Sequence, residues 1–185
     1  MSASATASQT VGPFFRIGLE PLYLADLAPT AAAKKKINFH GRVLDGDAQP
    51  VSDAILEIWQ ANADGRYLHP DDLRESPRDG FTGFGRVPTD AQGRFQFSTV
   101  KPGRVAGPNG KAQAPHLVVA IFMRGLLIHL LTRVYFPGDP ANADDPILQL
   151  VPAARRATLI ANAADGGLEW NVILQGEHET VFFDY

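Results

Sequence analysis

The sequence predicts an all-β protein: an antiparallel β-sandwich with long loops, an N-terminal arm and one or two short helices. Three observations predict it. From residue 37 apolar and polar positions alternate with period two, Ile37, Phe39, Gly41 and Val43 against Asn38, His40 and Arg42, as in a strand with one face in the core. Further short runs follow, each broken by Gly, Pro, Asp or Asn, the residues that supply tight turns. Residues 116–123 are almost continuously apolar, as expected of a central strand covered on both faces. Strands at this spacing, with turn signals between them, argue for two packed sheets.

The elements follow in order. Residues 1–9 are small and polar and are expected to fray. Thr10-Val-Gly-Pro-Phe-Phe-Arg16 sets two aromatics on a short arm. Such an arm cannot bury its phenylalanines alone and must lie on a surface, of this domain or of another. Residues 20–36 read as loop, with one helical turn near 23–27. Lys34, Lys35 and Lys36 follow three alanines and read as a solvated loop. Strands are predicted over 37–43, 54–60, 94–99, 116–123, 128–136 and 169–174, and a seventh over 180–185. Asp45-Gly-Asp47, Asn62 to Gly65 and Asp90 to Gly93 make turns between them. One helix is predicted over 152–161, because Pro152 suits a first helical position and Ala153 to Ala157 are good helix formers. No internal repeat or linker interrupts the chain, so 1–185 reads as a single domain, with 1–36 as arm and loop and 37–185 as the sandwich core.

Composition narrows the function. The 185 residues carry a net charge of −3, with 45% hydrophobic and 20% charged residues. No basic face or charge block argues for nucleic acid or a membrane surface. Cysteine is absent, which excludes disulfides and thiolate chemistry. No signal segment and no apolar run of the roughly 20 residues needed for a membrane helix occurs. The expectation is a soluble, cytoplasmic protein. No Gly-rich phosphate loop precedes a helix and no Gly-x-Ser-x-Gly elbow is found. Glu177-His178-Glu179 resembles a ligand cluster, but adjacent residues of an extended segment point to opposite faces. His40 and His69 read as solvated residues, His129 and His178 as structural ones.

Two stretches remain: Trp59-Gln-Ala-Asn-Ala-Asp-Gly-Arg-Tyr67, and a Gly/Pro-rich loop from Lys101 that runs into Ala114-Pro-His-Leu117. Together they resemble the metal-site framework of the intradiol ring-cleavage dioxygenases. The resemblance extends over most of the chain, through Gln9-Thr-Val-Gly-Pro-Phe14, Glu57-Ile-Trp-Gln-Ala61, Phe84-Gly-Arg-Val87, Thr99-Val-Lys-Pro-Gly103, Tyr135-Phe-Pro-Gly-Asp139 and the ending Gln175 to Tyr185. It points to the branch whose members pair a homologous alpha and beta chain, and to the alpha side of that pair.

The resemblance implies a ferric ion held by two tyrosines and two histidines, hard anionic oxygens and imidazoles suiting that cation. By alignment with the family's motifs, Tyr67 matches the first tyrosine, Val105 stands at the second, His116 matches the first histidine and Val118 stands at the second. Gln113 replaces an arginine that assists the substrate. A valine cannot bind metal in any protonation state, so the chain is expected to be metal-free. A closed, largely apolar cavity is expected in place of the iron site. Fe(III) would then belong to the beta subunit, and no catalytic residue is expected on this chain. The implied reaction is O2-dependent cleavage of 3,4-dihydroxybenzoate between its hydroxyls, with several alpha-beta pairs in a larger oligomer. Thr10, Gly12 and Pro13 are expected to wall the partner's pocket. Arg133 stands where the family's catalytic chains tend to have glutamine, and is expected at a pocket mouth, offering a two-pronged hydrogen bond to an aromatic carboxylate. Two alternatives stay open: a homomeric enzyme with metal held by Tyr67, His69 and His116, and a non-enzymatic β-sandwich interaction module.

Overall fold

The computed structural model describes residues 5–30, 35–74 and 80–184. Eleven strands are assigned among them. One sheet, of four strands, runs in the order β3 (Phe84–Pro88), β2 (Ile55–Trp59), β7 (His116–Phe122) and β8 (Leu130–Tyr135), every pairing antiparallel. The other is built on β1 (Lys36–Leu44). On one side β1 pairs antiparallel with β4 (Arg94–Val100) from Lys36↔Val100 to Arg42↔Arg94. On its other side it pairs parallel with β10 (Gly167–Glu169) and then with β11 (Val172–Ile173), and β9 (Asn162–Ala164) extends β10. A small hairpin, β5 (Val105–Ala106) with β6 (Ala112–Gln113), stands apart from both sheets.

Alternation decides which side chains meet between the sheets. Phe39 and Val43 of β1, Phe95 and Phe97 of β4, and Leu117 and Val119 of β7 belong to one buried cluster. Phe39 stacks on Phe97 at 5.0 Å and meets Phe136 edge-on at 5.7 Å, geometries that add to plain burial. The fully buried Gln60 ties the layers together. Its Oε1 accepts from the Thr99 hydroxyl at 2.7 Å and its Nε2 donates to the Ala61 and Val100 carbonyls at 3.0 Å, so no polar atom is buried without a partner there. Asp45 and Asp90 head the two tight turns, each accepting from backbone N–H groups two and four residues on.

The sandwich stands as expected, and several elements differ. The run 169–174 holds only the last residue of β10 and all of β11, both parallel to β1; between them the backbone of Trp170 passes against Gly41, where any Cβ would lie 1.8 Å from the Trp170 carbonyl oxygen. Strand β3 and the β5–β6 hairpin were not expected; β3 follows Thr82 and Gly83 and has too little alternation to announce itself. No ladder forms over 180–184. That segment lies extended, with Phe183 N donating to Leu131 O at 2.7 Å and the Thr132 hydroxyl donating to Val181 O at 2.7 Å; Tyr185 lies outside the described residues. Residues 116–122 are not covered equally on both faces: Leu117, Val119 and Ile121 are buried, whereas Val118, Ala120 and Phe122 are half-buried.

The helical expectations also shift. Residues 153–159 form 3-10 turns rather than an α-helix, and 23–27 is extended, bridging Leu24 to Arg86 and Asp26 to Ser98. The α-helix lies in the arm, α1 (Pro13–Leu19), with Gly12 as N-cap and Pro13 at the first position, where its missing N–H costs nothing. Phe15 packs on Phe122 at 5.6 Å while Phe14 stays 80% exposed. Lys36 is not a solvated loop residue: it opens β1 and pairs with Asp26 at 2.6 Å. Lys34 lies outside the described residues.

Candidate functional site

The outer face of the four-stranded sheet carries the site. Because β7 alternates, His116 and Val118 point away from the core. Register then fixes their neighbours: Trp59 and Arg133 flank Val118 on β2 and β8, and Tyr135 stands opposite His116. Directly opposed side chains lie within contact reach, so Trp59, Val118 and Arg133 form one row across three strands. Tyr67 stacks on Trp59 at 6.0 Å with near-parallel rings. The hairpin brings Val105 opposite Gln113. Gln113 Oε1 in turn accepts a hydrogen bond from Arg133 Nη1 at 2.6 Å. The five degenerate positions, Tyr67, Val105, Gln113, His116 and Val118, thus come together around Arg133, although they stem from four separate stretches of chain.

Turn geometry places Tyr67. Asn62 Oδ1 accepts from Asp64 N and Arg66 N at 3.0 Å. Gly65 has φ +72°, and a Cβ there would lie 2.1 Å from the Arg104 carbonyl oxygen. Only glycine lets the 62–67 turn approach the 101–105 loop so closely. Tyr67 N then donates to Asp72 Oδ2 at 2.9 Å, and Arg74 holds the same carboxylate at 2.6 Å. Burial pushes the Tyr67 phenol above its ordinary value, against a lowering influence from Arg133.

His116 is 5% exposed. Its Nδ1 lies 2.8 Å from the Ala114 carbonyl; a carbonyl only accepts, so Nδ1 carries the proton and the neutral ring keeps its lone pair on Nε2. Burial, and then the Arg133 guanidinium, lower the imidazole from 6.5 to about 4. Tyr135, wholly buried, donates from its hydroxyl to Asp145 Oδ1 at 3.1 Å. Burial and the Asp145 charge push this phenol well above its usual range, while the Arg133 guanidinium opposes them.

Asp145 was not singled out from the sequence, yet it organises this corner. It is 0% exposed. Its Oδ1 also accepts from Ile147 N at 3.0 Å and Leu148 N at 2.7 Å, and its Oδ2 accepts from Ala114 N at 2.7 Å. The signal was available: an aspartate directly before Pro146 has the form of a cap followed by a first-position proline. In the sequence Tyr135 stands out only as part of the Tyr135-Phe-Pro-Gly-Asp139 motif.

Three expectations need correction. Arg133 does not stand at a pocket mouth: it is 7% exposed, bonded to Gln113 and lies 5.9 Å over the Phe183 ring. The place of the two missing donors is not a closed apolar cavity. Val105 lines a surface cleft of about 590 Å3 with Trp59, Tyr67, His69 and Arg74, and the interior beside it holds Arg133 and Gln113. His69 is exposed, edge-on to Trp59 at 6.3 Å, with its Nδ1 accepting from Asp71 N, rather than turned into a common site with His116. The arm residues lie elsewhere on the same sheet: Thr10 Oγ1 accepts from Gly125 N at 2.8 Å, and Gly12 and Pro13 are exposed at the start of α1.

The family's ferric ion does not fit these residues. Tyr67 and His116 are the only donors of that set, two valines fill the other positions, and a guanidinium is fixed among them. Among the described residues no group of three or more His, Cys, Asp or Glu side chains is arranged to hold a metal, and no helix is long and apolar enough to cross a membrane.

Comparison with known proteins agrees with this geometry. The family described as Dioxygenase matches residues 25–176. The protocatechuate 3,4-dioxygenase alpha chain of Burkholderia cepacia is 49% identical over 197 residues, covering 97% of this chain and 96% of its own length. The beta chain from Burkholderia cepacia is 41% identical over 157 residues, covering 79% of this chain and 67% of its own. A solved structure, wild-type catechol 1,2-dioxygenase of Acinetobacter radioresistens, superposes with a TM-score of 0.62 at 19% identity, over 83% of this chain and 57% of that one, which is a likeness of fold. The chain belongs to the intradiol ring-cleavage dioxygenase family.

Proposed function

We propose that this chain is the iron-free alpha-type subunit of a heteromeric protocatechuate 3,4-dioxygenase, working beside a homologous beta-type chain that holds Fe(III). The carrying observation is the donor set: of the positions the family uses for iron, this chain keeps Tyr67 and His116 and has Val105 and Val118 at the others. The greater identity to an alpha chain than to a beta chain supports the assignment. The reaction takes 3,4-dihydroxybenzoate and O2 to 3-carboxy-cis,cis-muconate. The carbon–carbon bond between the two hydroxylated carbons breaks and both oxygen atoms enter the product. The partner's iron supplies the redox and Lewis-acid chemistry.

This chain supplies surface. Its arm, held at Thr10 by Gly125 and at Phe15 by Phe122, leaves Gly12 and Pro13 exposed to wall the partner's pocket and exclude water from it. Pro13, with its φ fixed by the ring, does this with little ordering entropy left to lose. The alpha-beta pairs assemble further, and the cysteine-free composition suits a reducing cytoplasm.

The test is to produce the chain alone and together with its beta-type homologue, then measure bound iron and O2 uptake with 3,4-dihydroxybenzoate. Neither iron nor uptake is expected from the chain alone, and both from the pair. An iron-loaded, active preparation of the single chain would overturn the reading. Removing residues 1–12 should leave the pair's iron content intact and raise KM several-fold; an unchanged KM would take the arm out of the pocket.

A further inference from the structure

Arg133 is fixed by contacts from three other stretches of chain. Its Nη1 donates to Gln113 Oε1 at 2.6 Å, and its charge bears on the Tyr135 phenol, whose ionisation it favours. That hydroxyl donates to Asp145 at 3.1 Å, and Asp145 accepts from Ala114 N at 2.7 Å, the residue next to Gln113. A cation that is 7% exposed and a carboxylate that is 0% exposed thus both act on one fully buried tyrosine. A buried charge is tolerated only when its loss of water is compensated; Arg133 has its hydrogen bond to Gln113, and Asp145 accepts four. The cation is also fixed in place: β8 holds its backbone opposite Val118, and Phe183 lies under its guanidinium at 5.9 Å.

We infer that Arg133 is the resident cation of this site and the element that bars a metal from it, so that supplying the two missing donors would not by itself create an iron centre. The loss of donors at Val105 and Val118 and the gain of Arg133 are therefore separate barriers. A permanently charged, rigid guanidinium among the donor positions opposes a trivalent ion electrostatically, and its hydrogen bond to Gln113 holds it there. Glutamine in place of Arg133 would remove the positive charge. Asp145 would stay satisfied by Ala114 N, Ile147 N, Leu148 N and the Tyr135 hydroxyl.

The inference rests on the family's donor set and not on the partner reading, so the two can fail separately. The full chain is prepared with Val105→Tyr and Val118→His, with those two plus Arg133→Gln, and with those two plus Arg133→Lys. Each is loaded with ferrous ammonium sulfate in air. Iron per chain and the visible ferric–tyrosinate absorption are then read, with circular dichroism reporting the fold. The pair of donor substitutions and the lysine variant should bind no more iron than the unaltered chain. The Arg133→Gln combination should bind at least tenfold more and become coloured. Equal binding with Arg133 retained, or none in a folded Arg133→Gln combination, would overturn the inference. Should that combination not fold, the reciprocal arginine is placed at the aligned glutamine of the iron-bearing homologue. Loss of iron from a folded chain is then expected, and full retention would overturn the inference.

Discussion

His116 gives the sharpest quantitative prediction. Its ring is buried and neutral, with Nδ1–H donating to Ala114 O at 2.8 Å, and its imidazole is lowered from 6.5 to about 4 by burial first and by Arg133 second. A group whose folded value lies below its unfolded one binds more protons when unfolded, so stability falls as pH drops through the interval between the two values. Above pH 6.5 the contribution is fully present; it is lost as pH falls from 6.5 through 4. With about 1.4 kcal/mol per pH unit of displacement, the loss is on the order of 2.5 kcal/mol by pH 4.5. Every carboxylate of the protein also titrates in acid, so the measurement needs a difference. His116→Asn keeps a donor for the Ala114 carbonyl and cannot titrate. Urea unfolding of the unaltered chain and the variant at pH 7.5 and pH 4.5 gives that difference. The unaltered chain should lose about 2.5 kcal/mol more than the variant between the two conditions. If the two stabilities fall in parallel, the ring is protonated in the folded state and the reasoning about its burial is wrong.

Two further predictions concern packing. Asp145→Asn should cost roughly 3 kcal/mol, because an amide can offer only one oxygen where four N–H and O–H donors converge on two; a urea midpoint shifted by a negligible amount would mean the site relaxes or is hydrated. Gly41→Ala should cost at least about 3 kcal/mol or abolish folding, since its Cβ would meet the Trp170 carbonyl oxygen at 1.8 Å; a soluble variant with an unchanged midpoint would place residue 170 away from β1.

How much of this was legible in the chain depends on how local each signal is. The alternation of Ile37, Phe39, Gly41 and Val43 is local, and β1 formed where it predicts. Trp170, by contrast, owes its place to a glycine some 130 residues earlier, and nothing near it says that two short strands will lie parallel to β1 rather than antiparallel. The 180–184 segment is apolar enough for a strand, but its backbone groups are shared between Ile173, Leu131 and the Thr132 hydroxyl, so no single partner ladder forms. Residues of the candidate site were legible as substitutions against a family pattern, as Val105 and Val118 show. Their assembly around Arg133 was not, because it depends on the register of β8 against β7. For Asp145 the sequence shows a cap before Pro146 but not its burial, which a polar residue in a loop does not advertise.

The parallel pairing of β1 has a further bearing on how the protein is made. Arg42 N donates to Asn171 Oδ1 across 129 residues of chain, so during synthesis one flank of β1 keeps its amides bare until residues 168–173 have emerged. Contacts this distant in sequence form late, and an unpaired strand margin invites wrong partners.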